Sequence, residues 1–355
     1  MKRQALLAAA VVTFLCPAGA RAGIVYEVID LGTLGGPGSA ALSINDAGQI
    51  VGEAGSHATL FDSTGAGNNI DLGTLGGDNS SAYSINETGQ IVGEAKNGQG
   101  AWCATLFDPT GAGNNIDLGA LVGGDSFARS INDAGQIVGL ADGRATLFDP
   151  TGAGNNLNLG TLGDGGSGAA SINETGQIVG KAGGRATLFD PTGGGNNIDL
   201  GTLGGDLSDA SSINNAGQIV GWARNSKGYS RATLFDPTGA GNNLDLGPLG
   251  GAESEALCIN DLGQITGGAE NSQGDWRATL FDPTGAGNNI DLNTLIDPAS
   301  GWTLVSAYDI NASGWIVGKG SNPQGEKHAF LLIPEPATVA LLGLGALLRK
   351  RRIRR

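Results

Sequence analysis

Ser84-Ile85-Asn86-Glu87-Thr88-Gly89-Gln90-Ile91-Val92-Gly93 opens a phrase that recurs seven times, with small changes, along this 355-residue chain. The copy continues with Ala104-Thr105-Leu106-Phe107-Asp108 and closes with Asn114-Asn115-Ile116-Asp117-Leu118-Gly119. The Ile-Asn asparagines of the copies are Asn45, Asn86, Asn132, Asn173, Asn214, Asn260 and Asn311, spaced 41, 46, 41, 41, 46 and 51 residues apart. A period in that range belongs to propellers and solenoids, so the repeat decides the architecture before any single residue is read. Repeated modules present a surface; chemistry has to come from residues that break the repeat.

Within one copy the pattern predicts four short antiparallel strands. Residues 81–85 form the first, and Asn86-Glu87-Thr88-Gly89 is a turn in which Gly89 suits a positive φ. Residues 90–95 form the second strand, with β-branched Ile91 and Val92. Residues 104–108 form the third, Ala104 and Leu106 facing one way and Thr105 and Phe107 the other. Pro109-Thr110-Gly111-Ala112-Gly113 is a second turn, and residues 114–118 form the fourth strand. Four such strands in about 41 residues make one propeller blade.

Counting the strand types along the chain gives an all-β, seven-bladed β-propeller of four-stranded blades. The array begins with a fourth-type strand, Val25–Leu31, and ends with a third-type strand, His328–Ile333. The last blade therefore lacks its outer strand while the N-terminus has one to spare. Pairing them closes the ring and removes two exposed edges. An open solenoid explains the period but not that complementarity.

Extra length is concentrated in one hairpin. The distance from each Ile-Asn asparagine to the next Ala-Thr or Ala-Phe alanine is 13 or 18 residues. The four long versions span 96–102, 224–229, 271–276 and 321–327, between the second and third strands. In a propeller they emerge on one rim, which marks that rim as the working face. Trp102, Tyr229 and Trp276 stand in three of them and are the candidate binding residues, placed to stack on sugar rings or to anchor a protein. The alternative is that they cover the blade edge.

Composition sets limits. The chain holds 64 glycines and only 18 aromatic residues, while 40% of its residues are hydrophobic, enough for a packed core. Nine of the 20 basic residues lie at the two ends, so residues 23–348 carry 11 basic against all 34 acidic residues. Such a body repels nucleic acid and anionic membrane surfaces.

The two ends read as addresses. Lys2 and Arg3, the apolar run 5–15 and Ala20-Arg21-Ala22 make residues 1–22 a secretory signal peptide. Residues 334–355 are Pro334-Glu335-Pro336, an uncharged run over 337–348 and a basic end. That run spans about 18 Å as a helix, short of the roughly 30 Å hydrocarbon core. It is a transmembrane helix that holds the chain at the inner membrane transiently, with the basic end cytoplasmic. The repeat domain is 23–333.

This tail resembles the PEP-CTERM sorting signal, Pro334, Glu335 and Pro336 matching its motif position by position. The resemblance implies an exosortase-type sorting enzyme as partner and an exported product at the cell surface or outside. Residues 25–333 resemble the HAF family of bacterial extracellular repeats, named for a His-Ala-Phe. His328-Ala329-Phe330 retains it and His57-Ala58 begins a second case. Arg144, Arg185, Arg231, Arg277 and Cys103 stand in the histidine's place elsewhere, so the resemblance does not make it a required ligand or catalyst.

Catalytic chemistry finds little support. The only histidines are His57 and His328, too few for a histidine metal site. Cys103 and Cys258 fall in blades that are not neighbours, so two free thiols are expected. The recurring Asp-Pro-Thr-Gly-Ala-Gly-Asn-Asn loop is rich in oxygens, but Thr110 and Ala112 occupy places where a calcium loop wants carboxylates or amides. No nucleotide fingerprint or nucleophile elbow is present. The expectation is a monomeric, non-enzymatic surface or matrix protein without metal or cofactor, binding extracellular polysaccharide or protein. The alternative is a secreted propeller lyase or glycosidase, for which Glu253 and Glu255 are the acidic pair outside the repeat.

Overall fold

The structure, a computed structural model, describes residues 26–335. The predicted signal peptide and the apolar and basic parts of the tail lie outside them. The described residues form seven four-stranded antiparallel sheets. In the second blade the strands are Gly76–Ile85, Ile91–Asn97, Trp102–Phe107 and Ile116–Asp117, in that order across the sheet. Each first strand touches the first strands of both neighbouring blades, so the seven line a central axis.

The ring closes as its ends require. In the seventh blade Thr303–Ile310, Ile316–Ser321 and Lys327–Pro334 are completed by Tyr26–Asp30 from the N-terminus. The register sets Tyr26 opposite Pro334 and Asp30 opposite Phe330. Pro334, the first residue of the tail motif, thus ends a strand. The fourth strands of the other six blades are only two residues long, whereas this closing strand has five.

The cores lie between blades. Val51, Ala58 and Leu72 of the first blade pack on Ile85, Ile91 and Phe107 of the second, all buried. The closing seam is filled in the same way, Leu31, Val317 and Leu331 packing on Ile44, Ile50 and Phe61. Burying each such side chain contributes on the order of 2 kcal/mol, and no blade can bury them alone.

The Ile-Asn asparagines tie the ring together at its inner edge. Asn86 Nδ2 donates to Asn132 O in the next blade at 3.0 Å, and the link repeats from Asn45 round to Asn311, whose Nδ2 returns to Asn45 O at 3.1 Å. The other amide atom holds the local turn: Asn86 Oδ1 accepts from Gln90 N at 2.9 Å and from Thr88 N at 3.1 Å. Gly89 completes that turn at φ 80°. Acidic residues next to these asparagines extend the linkage, Asp46 N donating to Glu87 Oε1 and Glu87 N to Asp133 Oδ1, both at 2.8 Å.

The Asp-Pro-Thr-Gly loops are held by their own side chains. Asp108 Oδ1 accepts from Thr110 Oγ1 at 2.6 Å and Oδ2 from Asn114 Nδ2 at 2.8 Å. The Thr110 hydroxyl, the Thr110 backbone and Asn114 together hold the Asp108 carboxyl down to about 2. Asn115 Nδ2 reaches back to Leu72 O of the preceding blade at 2.8 Å. Both carboxylate oxygens of Asp108 are therefore engaged within the turn.

The ring bond makes a prediction. Asn86→Ala leaves the buried carbonyl of Asn132 without its donor and Gln90 N without its acceptor. It should cost roughly 2–4 kcal/mol, read as a lower denaturation midpoint. Asn114→Ala, at an exposed loop, should cost under about 1 kcal/mol by the same measurement.

Candidate functional site

A glycine creates the site. Gly93, the last residue of Gly-Gln-Ile-Val-Gly, lies against the first strand of its own blade, where an added Cβ would collide with the Ser81 carbonyl and the Ala82 Cα. Opposite it the register of the first strand slips between Ala82 and Ser84, leaving Tyr83 as the extra residue of a bulge. The same slip occurs in every blade. A bulge re-aims its side chain, and here all seven are aimed at the axis. They are Leu42, Tyr83, Arg129, Ala170, Ser211, Leu257 and Tyr308, and together they line a cavity of about 730 Å³.

These are the residues that break the repeat. The alanine before each bulge is constant, whereas the bulge residue is Leu, Tyr, Arg, Ala, Ser, Leu or Tyr. The residue between the glycine and the next small residue of the second strand also varies: Glu53, Glu94, Leu140, Lys181, Trp222, Gly268 and Lys319. It pairs across to the residue before the constant alanine, as Glu94 does with Ser81, Leu140 with Phe127 and Trp222 with Asp209. Constant positions build the ring; variable positions face its axis and mouth.

Charge and aromatic rings are concentrated there. The Arg129 guanidinium lies 4.2 Å from the Tyr83 ring centre and 5.4 Å from that of Phe127. Its nearest carboxylate is Glu94, whose Oε2 is 3.9 Å away. Glu94 is 8% exposed, and its Oε2 has no hydrogen-bond partner among the described residues. Burial raises the Glu94 carboxyl above the usual range and pushes the Tyr83 hydroxyl up to about 12. Lys181 Nζ stands 3.8 Å from Asp209 Oδ2 and 5.6 Å from the Trp222 ring centre. Burial pushes the Asp209 carboxyl up to about 6, with Lys181 opposing it.

The rim residues singled out from sequence fall in different places. Trp102 packs toward the next blade, its ring centre 6.5 Å from that of Phe127 and 5.2 Å from Lys96 Nζ. Trp276 covers Gly268, occupying the space a side chain would fill there. Tyr229 is exposed on its hairpin. The hairpin before Trp102 is tied to the start of its blade's first strand, where Gly76 pairs with Asn97. The long hairpins and the cavity mouth therefore share one face.

The histidines are accounted for structurally. His57 Nδ1 is 2.8 Å from Asp71 Oδ2, and His328 Nδ1 is 2.9 Å from Asp30 Oδ1. Arg185 and Arg231 make the same link to Asp199 and Asp245. Either side chain ties the third strand to the Asp of the fourth, which explains their exchange along the chain. Cys103 and Cys258 are both free. Cys258 Sγ donates instead to Asp309 Oδ1 at 2.9 Å, while Asp309 Oδ2 accepts from Ile44 N across the closing seam.

Sequence reasoning missed the bulge ring because the rim hairpins change length and the ring changes only side chains. Its signal was a variable residue after a constant alanine, in Ala-x-Ser-Ile-Asn, where Cys258 and Asp309 replace the serine in the last two blades.

Residues 332–355 match the PEP-CTERM protein-sorting motif, the signal read by an exosortase-type sorting enzyme. The chain is thus an exported protein sorted at a membrane. Among the described residues no helix is long and apolar enough to cross a membrane, and the expected helix over 337–348 lies outside them. No curated protein matches the chain. It is similar to the solved structure of a gluconolactonase from Xanthomonas campestris, with 12% identity, a TM-score of 0.44, and coverage of 89% of this chain and 92% of that one. The expectation that this chain is not an enzyme is corrected on that finding and is withdrawn.

Asp209 supplies the test of the site's electrostatics. An acid whose folded pKa is raised stabilises the fold fully below its unfolded value, near 4, and loses that contribution as pH rises through about 6. Asp209→Asn should therefore melt above the parent at pH 8, by about 1 kcal/mol after allowing for the partly exposed carboxylate, and level with it at pH 3.5. An equal effect at both pH values would remove the burial argument.

Proposed function

We propose that this exported propeller stands at the cell surface or outside the cell and binds a saccharide in the mouth of its channel. One observation carries the reading: the seven bulge residues, which differ from blade to blade, all line one cavity. A ring built only for stability has no use for such variety at its axis. The residues there, Tyr83, Tyr308, Arg129, Lys181 and Asp209, combine flat aromatic faces with charged donors and acceptors, the pairing that sugar rings require. Trp102, Trp276 and the exposed Tyr229 extend the same face outward and are the secondary contacts. The resemblance of the repeat to HAF proteins of the bacterial exterior agrees with this location, as does the sorting motif, through which the tail would anchor the chain transiently during sorting.

A second reading, turnover of the bound sugar by a lyase or glycosidase mechanism, is favoured by Asp209. Burial brings its carboxyl to about 6, near the range in which a group both takes and releases a proton.

Calorimetry on the full chain in mild detergent, against neutral and acidic oligosaccharides of defined length, tests both. Binding should weaken at least about tenfold in a folded Tyr83→Ala/Tyr308→Ala variant and change little in Tyr229→Ala. Mass spectrometry of the recovered sugar reads turnover, which Asp209→Asn should stop while binding persists. Undiminished binding by the double variant would place the site away from the channel.

A further inference from the structure

The cavity is not symmetric, and its asymmetry names a ligand class. On the fourth blade the wall is cut back. Gly168 stands where the third blade has Phe127 and the fifth has Asp209, and Ala170 stands where the second and third have Tyr83 and Arg129. A Cβ on Gly168 would meet nothing nearer than Leu140 Cβ at 3.7 Å, so the glycine leaves real space. Arg129, from the blade before, and Lys181, from this blade, line the same cavity as that recess.

Both cations have donors to spare. Five of the six described arginines donate a hydrogen bond of 3.3 Å or shorter. Arg129 is the exception, its nearest carboxylate oxygen 3.9 Å away. Two aromatic rings hold its guanidinium in place without using its N–H groups. Lys181 likewise stops 3.8 Å short of Asp209. The distribution runs against the rest of the molecule: the repeat body is strongly acidic, yet of its 11 basic residues two line this cavity, where Asp209 is the one carboxylate lining it.

We infer that the recess between Arg129 and Lys181 is an anion subsite, and that the saccharide bound in the channel is acidic, presenting a carboxylate to these two side chains. The inference rests on the saccharide reading above and adds to it the charge of the ligand. Arg129 offers two parallel N–H groups to the carboxylate, Lys181 a point charge from the adjacent blade, and Gly168 and Ala170 the room.

The probe is an oligogalacturonide and its fully methyl-esterified counterpart, identical in sugar and length but differing in charge. Each is titrated calorimetrically into the full chain at low salt. The acid should bind at least about tenfold more tightly than the ester, and that advantage should shrink as salt is raised. Arg129→Gln and Lys181→Gln should each remove most of the acid's advantage, read as the ratio of acid to ester affinity within each variant shown to be folded. Ala170→Phe, which fills the recess, should lose the acid selectively. If the ester binds as tightly as the acid and Arg129→Gln changes neither, the anion subsite is wrong and the saccharide reading stands. If neither oligosaccharide binds, both fall together.

Discussion

Closure governs this molecule. A chain of seven near-identical blades has its hydrophobic surfaces between blades, so every surface is buried only if the seventh meets the first. The asparagine ring is the inner expression of that constraint, each Nδ2 reaching the next blade's carbonyl and the last returning to Asn45. The outer expression is Tyr26–Asp30 completing the final sheet. The serine at the Ser84 position accepts a long bond from the next blade, 3.3 Å from Ile131 N, whereas at the closing seam Asp309 replaces it and accepts from Ile44 N at 2.9 Å. The Asp309 carboxyl thus makes the shorter bond, at the seam between the seventh blade and the first.

The same constancy that builds the ring releases a few positions for other use. A glycine is needed at Gly93 and its equivalents because the bulged strand crowds that point. The bulge in turn directs one residue per blade toward the axis, where no repeat contact constrains it. Residues there are free to differ, and they do, from Ala170 to Arg129 to Tyr308. Diversity at the axis is therefore a product of the regularity around it, and it gives an acidic, glycine-rich body one cavity with concentrated chemistry.

Much of the architecture was legible in the repeat. Seven Ile-Asn asparagines gave the blade number, and the displaced first and last strands gave the closure. The partners of the conserved letters were not legible: that His57 and Arg185 serve one purpose appears only when the third and fourth strands bring each beside an aspartate 14 residues on. The channel was hidden for a related reason. Alternation of faces along a strand fails at a bulge, so Tyr83, Arg129 and Tyr308 carry no pattern that assigns them a direction. The rim hairpins drew notice because they add residues, but Trp102 packs near Phe127 of the next blade and Trp276 over Gly268, and neither lines the channel cavity.

Amide hydrogen exchange read on peptides tests closure most directly. Residues 26–31 should exchange as slowly as 316–333 and lose protection with them in a single step as denaturant is added, because they form one sheet. Fast exchange at 26–31 beside a protected 316–333 would mean an open ring, and the axis, its cavity and the site built on it would go with it.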